Sequence, residues 1–275
     1  MKKVLITGAN SYIGDAVKKY LDAYDDMYDI QIKDTIGWIP KIEDFIGIDV
    51  VFNVAGIAHV KESRANKELY YKVNKKLVVD IANAAKAGGV KQFILLSTMS
   101  VYGLITGCIN KNTLEKPISA YGKSKKEADD EIKLISDKNF RFACIRPPMV
   151  YGKGCKGNYQ RLRNFVLSCP VFPDYPNKRS MIFIGNLCSF IKTVIDKEME
   201  GTFCPQNAEY MNTSDMVRRI ALENNKRIVL TRVFNPIIKF APIGIVKKVF
   251  GDLVYEPIDK VDTYSFEESI KLTER

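Results

Sequence analysis

Histidine is almost missing from this chain of 275 residues: His59 is the only one. The six cysteines, Cys108, Cys144, Cys155, Cys169, Cys188 and Cys204, include no C-x-x-C pair. Together these shortages argue against a zinc site of the common Cys/His kind, and no metal is expected. The cysteines read as reduced thiols of a cytoplasmic protein. Long apolar runs are scarce as well. Val4-Leu5-Ile6 follows Met1-Lys2-Lys3, but Gly8, Asn10 and Ser11 cut it too short for the apolar region of an export signal, so nothing directs export. Pro236 to Phe250 is interrupted by Lys239, Lys247 and Lys248, well short of the ~20 clean residues that a bilayer span needs. A helix lying on a membrane surface is the lesser alternative there. No internal repeat, low-complexity tract or long linker is present.

What remains is an ordinary globular composition, 46% hydrophobic and 27% charged, which predicts a soluble folded chain with a real core. The net charge of +10 favours anionic ligands. A nucleic-acid binder would gather its cations into a stripe with interleaved aromatics. Here the lysines are scattered over several helices, as in Lys72, Lys75, Lys76 and Lys123, Lys125, Lys126, so solvated faces account for most of them and no nucleic-acid partner is expected.

Short apolar runs alternate with helical periods through the first half of the chain. Strands are expected at Lys3–Thr7, Ile30–Asp34, Asp49–Asn53, Lys91–Ser97 and Arg141–Ile145. Helices are expected at Tyr12–Ala23, at Leu69–Ala87 (ended by Gly88-Gly89) and from about Ser119 to Lys138. This order predicts an α/β fold, a Rossmann-type doubly wound parallel sheet covered on both faces. After Pro147-Pro148 the many glycines and prolines around a short helix at Tyr159–Leu167 mark a smaller C-terminal region. The expected division is a dinucleotide-binding domain over 1–150, with 185–207 returning to it, and a substrate-binding region over most of 151–275.

Thr7-Gly8-Ala9-Asn10-Ser11-Tyr12-Ile13-Gly14 stands where the first strand hands over to a helix, so backbone N–H groups and the helix N-terminus would face a pyrophosphate. An ordinary strand-to-helix turn is the alternative for the glycines alone. Asp34 closes the second strand, about where an acidic residue meets an adenosine ribose hydroxyl, which favours NAD. The neighbouring Lys33 keeps NADP as the other choice. Later in the chain, Tyr121 and Lys125 share one face at the start of a helix. A lysine ammonium beside a phenol favours phenolate, which would bring a group of ordinary pKa near ~10 toward working pH. A half-buried tyrosine beside a solvated lysine is the alternative.

The full series of motifs resembles the extended short-chain dehydrogenase/reductase superfamily, in its nucleotide-sugar epimerase/dehydratase branch. TGANSYIG, FNVAG at Phe52–Gly56, Val73-Asn74, LLSTMSVYG at Leu95–Gly103, YGKSK and RPPMVYGKG at Arg146–Gly154 carry it over nearly the whole chain. The resemblance implies that Tyr121 is the general base and acid. Lys125 would lower its pKa and hold the nicotinamide ribose, and Thr98 would hydrogen-bond the reacting hydroxyl. It places Gly8, Asn10, Ser11, Tyr12, Ile13, Gly14, Asp34, Asn53, Ala55, Gly56 and Pro148 on the cofactor, with Asn74 supporting the active-site helix. Met99 falls to the substrate with Thr98. Gly157-Asn158-Tyr159 and Arg179-Ser180-Met181 resemble the branch acting on UDP-hexoses, often N-acetylated, in surface-polysaccharide synthesis. That makes Asn158 a substrate contact and Arg179 a clamp on the substrate diphosphate, a role its forked guanidinium suits.

Three departures stand out. Ser11 replaces the middle glycine of the usual motif, with a hydroxyl that could donate to phosphate. Met99-Ser100 stands where dehydratases carry Asp-Glu, which rejects a 4,6-dehydratase. Met149 removes a polar substrate contact. His59 follows a strand end near the expected site and has no carboxylate partner nearby in sequence, so it is read as a bystander that can touch substrate. The expectation is an NAD-dependent UDP-hexose 4-epimerase. Its close variant is an NAD(P)H-dependent reductase of a UDP-4-keto-6-deoxyhexose, and the rival of another class is a non-catalytic dinucleotide-sensing regulatory protein. The resemblance also implies a homodimer.

Overall fold

The computed structural model describes residues 1–58, 62–63, 66–240 and 244–275. The chain divides into two units: the first holds Met1–Gly103, Leu114–Pro147 and Cys188–Cys204; the second holds Leu104–Thr113, Pro148–Leu187 and Pro205–Arg275. Leu104–Thr113 thus belongs to the second unit although it lies within the first 150 residues.

In the first unit, β1 (Lys2–Thr7), β2 (Tyr28–Lys33), β3 (Val50–Asn53), β4 (Gln92–Leu96), β5 (Arg141–Ile145) and β6 (Gly201–Phe203) form one parallel sheet in the order β6-β5-β4-β3-β1-β2. The order reverses between β1 and β3, and in such sheets ligands bind in the crevice beyond the strand ends at that reversal. The strands read as near-continuous apolar runs because both faces are covered. Leu5, Val51, Phe93, Leu95 and Cys144 pack on Ile81, Ala82 and Ala85 of α3 (Val78–Ala87) and on Ala128 and Ile132 of α4 (Ala120–Ile135). On α1 (Tyr12–Leu21), Val17 and Leu21 are fully buried. Burying side chains of this size stabilises by about 1.5–3 kcal/mol each.

One expectation needs correction. Leu69–Ala87 is not a single regular helix: α2 (Lys67–Tyr71) passes into a π-helical turn, Lys72–Leu77, before α3 begins. Such turns insert one residue and re-aim the side chains near it. Here the fully buried residue of the turn is Asn74.

Among its described residues the second unit holds four short parallel strand pairs, including Met149–Tyr151 with Met181–Phe183 and Gly107–Ile109 with Leu253–Tyr255. Tyr151 and Tyr159 stack inside it with ring centroids 5.5 Å apart. The Tyr151 hydroxyl shares a hydrogen bond with Ser269 at 2.7 Å, which ties in the C-terminal helix Phe266–Glu274. Among the described residues, no helix is long and apolar enough to cross a membrane.

Candidate active site

The turn after β1 lies at the sheet reversal. Gly8 has φ +109°, and a Cβ there would stand 2.8 Å from the backbone nitrogen of Ala55 and 2.9 Å from its Cα. Only glycine allows this backbone to press on the exit of β3. Asn10 follows at φ +60°, a left-handed conformation that asparagine tolerates better than most residues. Ser11 caps α1, its hydroxyl oxygen accepting from the Gly14 N–H at 3.4 Å. The serine at the middle-glycine position is therefore a helix cap first, and its own hydroxyl proton is a further donor.

Asn53 ends β3, fully buried. Its Oδ1 accepts from the Thr7 hydroxyl at 2.7 Å, which leaves Nδ2 with no hydrogen-bond partner among the described residues. A buried, unpaired amide N–H costs about 1–3 kcal/mol unless a ligand accepts from it. This donor, the glycine turn and the start of α1 together fit a dinucleotide. At the far end, Asp34 is exposed and one carboxylate oxygen accepts from the Ile36 N–H at 3.0 Å, so the other can take a ribose hydroxyl. Lys33 is drawn off toward Asp44, 3.7 Å away, and over the Trp38 ring at 5.1 Å. That favours NAD over NADP, because the nearest cation already has partners.

Beyond the ends of β3 and β4, the structure brings Gly56, Asn74, Thr98, Tyr121 and Lys125 together. The Asn74 carboxamide clasps the backbone of Ile57, accepting from its N–H at 2.8 Å and donating to its carbonyl at 3.1 Å. It also reaches the Ser124 hydroxyl on α4 at 3.4 Å. Lys125 donates from Nζ to the Leu96 carbonyl at 3.0 Å, and a Cβ on Gly56 would lie 3.1 Å from that nitrogen. Thr98 caps the short helical turn Met99–Tyr102 by accepting from the Ser100 N–H at 3.1 Å and donates its hydroxyl to Ser100 Oγ at 3.3 Å, close enough to Tyr121 to pull its pKa down. Gly122 seats α4 against this turn: a Cβ there would meet the Ser100 carbonyl oxygen at 2.7 Å.

The electrostatics correct one expectation. Lys125 does not bring the phenol toward working pH in this arrangement. Burial pushes Tyr121 up from its ordinary value, the Thr98 hydrogen bond pulls it back, and the charges of Tyr70 and Asp129 push it up again. Lys125 is itself lowered to about 8, by burial first, with Asp129 opposing. Both charged forms are penalised by removal from water.

Pro148, Asn158 and Arg179 lie in the second unit. Asn158 is exposed at the first position of the helix Asn158–Ser168. Arg179 donates from Nη1 to the Gly251 carbonyl at 2.9 Å, and burial lowers its pKa, with Asp252 opposing. One prong of its fork is thus held in place while further N–H groups remain to donate. His59 lies outside the described residues.

Sequence reading missed two features. Tyr70 sets its ring edge-on to Tyr121, with centroids 6.2 Å apart. Asp129 and Arg146 form a buried ion pair behind the site at 3.1 Å. The spacing of Asp129, one helical turn after Lys125, was the available signal.

The family model described as the NAD dependent epimerase/dehydratase family matches residues 4–202. A UDP-glucose 4-epimerase of Vibrio cholerae is 31% identical over 251 residues, 82% of this chain and 76% of that protein. An N-acetyl-alpha-D-glucosaminyl-diphospho-ditrans,octacis-undecaprenol 4-epimerase of Escherichia coli O157:H7 is 26% identical over 189 residues, 66% of this chain and 56% of that protein. Among solved structures, the UDP-glucuronic acid 4-epimerase of Bacillus cereus in complex with NAD superposes with a TM-score of 0.77 at 16% identity. The match covers 99% of this chain and 97% of that one, a likeness that speaks to fold alone.

Proposed function

This chain belongs to the NAD dependent epimerase/dehydratase family, and from that premise we propose that it is an NAD-dependent nucleotide-sugar 4-epimerase. Its substrate is a UDP-hexose or UDP-N-acetylhexosamine destined for surface polysaccharide, inverted at C4. The observation that carries the reading is the convergence of Thr98, Tyr121 and Lys125 at the end of β4, beside the dinucleotide crevice. The names of the two relatives agree in one respect: each acts on a hexose joined to a diphosphate.

When bound, NAD supplies the acceptor and donor of hydride. Gly8, Asn10, Ser11, Tyr12, Ile13 and Gly14 would hold its pyrophosphate and Asp34 its ribose; Asn53, Ala55, Gly56 and Pro148 would line its path. Tyr121 would take the proton of the sugar 4-OH, and Thr98 would hold that hydroxyl in line. Once the sugar has turned its other face, Tyr121 would give the proton back to the same oxygen. Lys125, packed against Gly56, would steady the ribose. Met99, Asn158 and Arg179 bind the substrate, Arg179 at its diphosphate.

An intact catalytic trio speaks against a regulatory protein that only senses dinucleotide, and two epimerase relatives make the 4-keto reductase less favoured. The enzyme works as a homodimer in the cytoplasm. The test is to incubate purified protein with UDP-N-acetylglucosamine or UDP-glucose and a trace of NAD and to follow the sugar protons by NMR. Growth of the C4 epimer without net cofactor consumption supports the proposal. An unchanged spectrum, with NADH-dependent loss of a UDP-4-keto-6-deoxyhexose, would replace it with the reductase.

A further inference from the structure

Behind the catalytic residues lies a buried cluster that the reaction above does not use. Asp129 stands one helical turn after Lys125 and two after Tyr121, on the same face of α4. Its side chain is 4% exposed. Oδ2 accepts from the Ser97 hydroxyl at 2.9 Å and from Arg146 at 3.1 Å (Nη2) and 3.3 Å (Nε). The Cys144 thiol, on β5, borders the same carboxylate. Arg146 gives its Nη1 to Glu115 at 2.6 Å and to the Tyr102 hydroxyl at 3.1 Å, with its guanidinium 5.4 Å from the centre of the Tyr102 ring. Lys126, next along α4, pairs with Glu115 and Asp130 on the outer side.

The pair therefore touches four elements at once. Ser97 precedes Thr98 at the end of β4, Tyr102 ends the turn that Thr98 caps, Arg146 follows β5, and Asp129 belongs to the helix bearing Tyr121 and Lys125. Removing two charges from water costs several kcal/mol per ion, so a buried pair is weak evidence for stability and calls for another reason. We propose that Asp129 is a positioning residue: with Arg146 it holds the Ser97-Thr98 strand end against α4, so that the Thr98 hydroxyl and the Tyr121 phenol stay in hydrogen-bonding register. Its carboxylate also supplies the negative field that keeps the Lys125 ammonium charged inside the protein. This inference rests on the catalytic roles proposed above.

The test uses protein labelled with ζ-15N lysine, with Lys125→Met to assign the Lys125 signal. Burial lowers the wild-type Lys125 ammonium to about 8, with Asp129 opposing. In Asp129→Asn the midpoint drops by about one pH unit or more, because a carboxylate is lost and Arg146 stays charged. The same variant loses about tenfold or more in kcat with KM held within about twofold, the mark of a misplaced catalytic group. Asp129→Glu recovers part of both. A folded Asp129→Asn protein with wild-type midpoint and wild-type kcat would overturn the proposal. If Asp129→Asn does not fold, Ser97→Ala decides, since it cuts only the link between strand end and carboxylate. A lower kcat at unchanged melting temperature supports the role, and an unchanged kcat removes it. The titration needs no turnover, so a protein inactive on every nucleotide sugar would refute the epimerase reading while the Lys125 midpoint still judged Asp129.

Discussion

Gly122→Ala probes the seam between the helix that carries Tyr121 and the turn that carries Thr98. The added methyl would stand 2.7 Å from the Ser100 carbonyl oxygen and 3.0 Å from Cβ of Pro117, where ordinary contact begins at 3.4 Å. The nearer obstacle is backbone, which cannot swing aside, so helix and turn must part by about 0.7 Å, the difference between 3.4 and 2.7 Å. Two effects compete. Alanine in a helix is favoured over glycine by about 0.5–1 kcal/mol, whereas forcing a methyl into a closed contact costs about 1–3 kcal/mol. The net loss is about 1 kcal/mol, a fall of a few degrees in Tm. The catalytic cost is larger, because a misplacement of about 1 Å can remove a hundredfold of rate. A kcat reduced by about tenfold or more is expected, with NAD affinity nearly unchanged. The assay pairs thermal unfolding with epimerisation followed by NMR. Loss of stability at full kcat would show that this seam does not align Thr98 with Tyr121.

Tyr121→Phe should lower kcat by about 10²–10⁴-fold while NAD binding, measured by calorimetry, changes little. Asp34→Ala should weaken NAD by about tenfold, the worth of a hydrogen bond to a charged group; Trp38, the only tryptophan and close to Lys33, gives a fluorescence readout. Lys125 makes stability depend on pH in a defined direction. Its pKa falls from 10.5 in the unfolded chain to about 8 when folded, so between those values the unfolded state binds more protons and stability rises with pH. Relative to Lys125→Met, the wild type should gain about 2 kcal/mol between pH 8 and pH 10, read from urea unfolding midpoints; a difference that falls over that window would contradict the burial of the ammonium.

Much of the first unit is legible because its signals are local. Apolar runs bounded by glycine and asparagine mark β1, β3 and the turn at Gly8, and spacing on one helix joins Tyr121 to Lys125. Contacts set by distant residues are not legible in that way. Nothing around Asn74 announces a π-helical turn, whose purpose becomes visible only where the carboxamide grips Ile57 and reaches Ser124. The phenol beside a lysine looked like a phenolate until burial of both groups entered the balance. Arg146 reads as part of a motif, yet its partner Asp129 lies 17 residues away on another element and is brought to it by the packing of α4 on the sheet. Lys33 looked like a rival for a ribose phosphate until Asp44 and Trp38 were seen to engage it.

The central claim is that hydride leaves C4 of the sugar and returns to the same carbon while Tyr121 handles the proton. A nucleotide sugar deuterated at C4 tests it most directly. The account predicts that the C4 epimer formed in ordinary water keeps its deuterium at C4, with no net change in NAD and with the conversion abolished in Tyr121→Phe. Epimer that has exchanged its deuterium for solvent hydrogen, or that forms equally well without Tyr121, would contradict it.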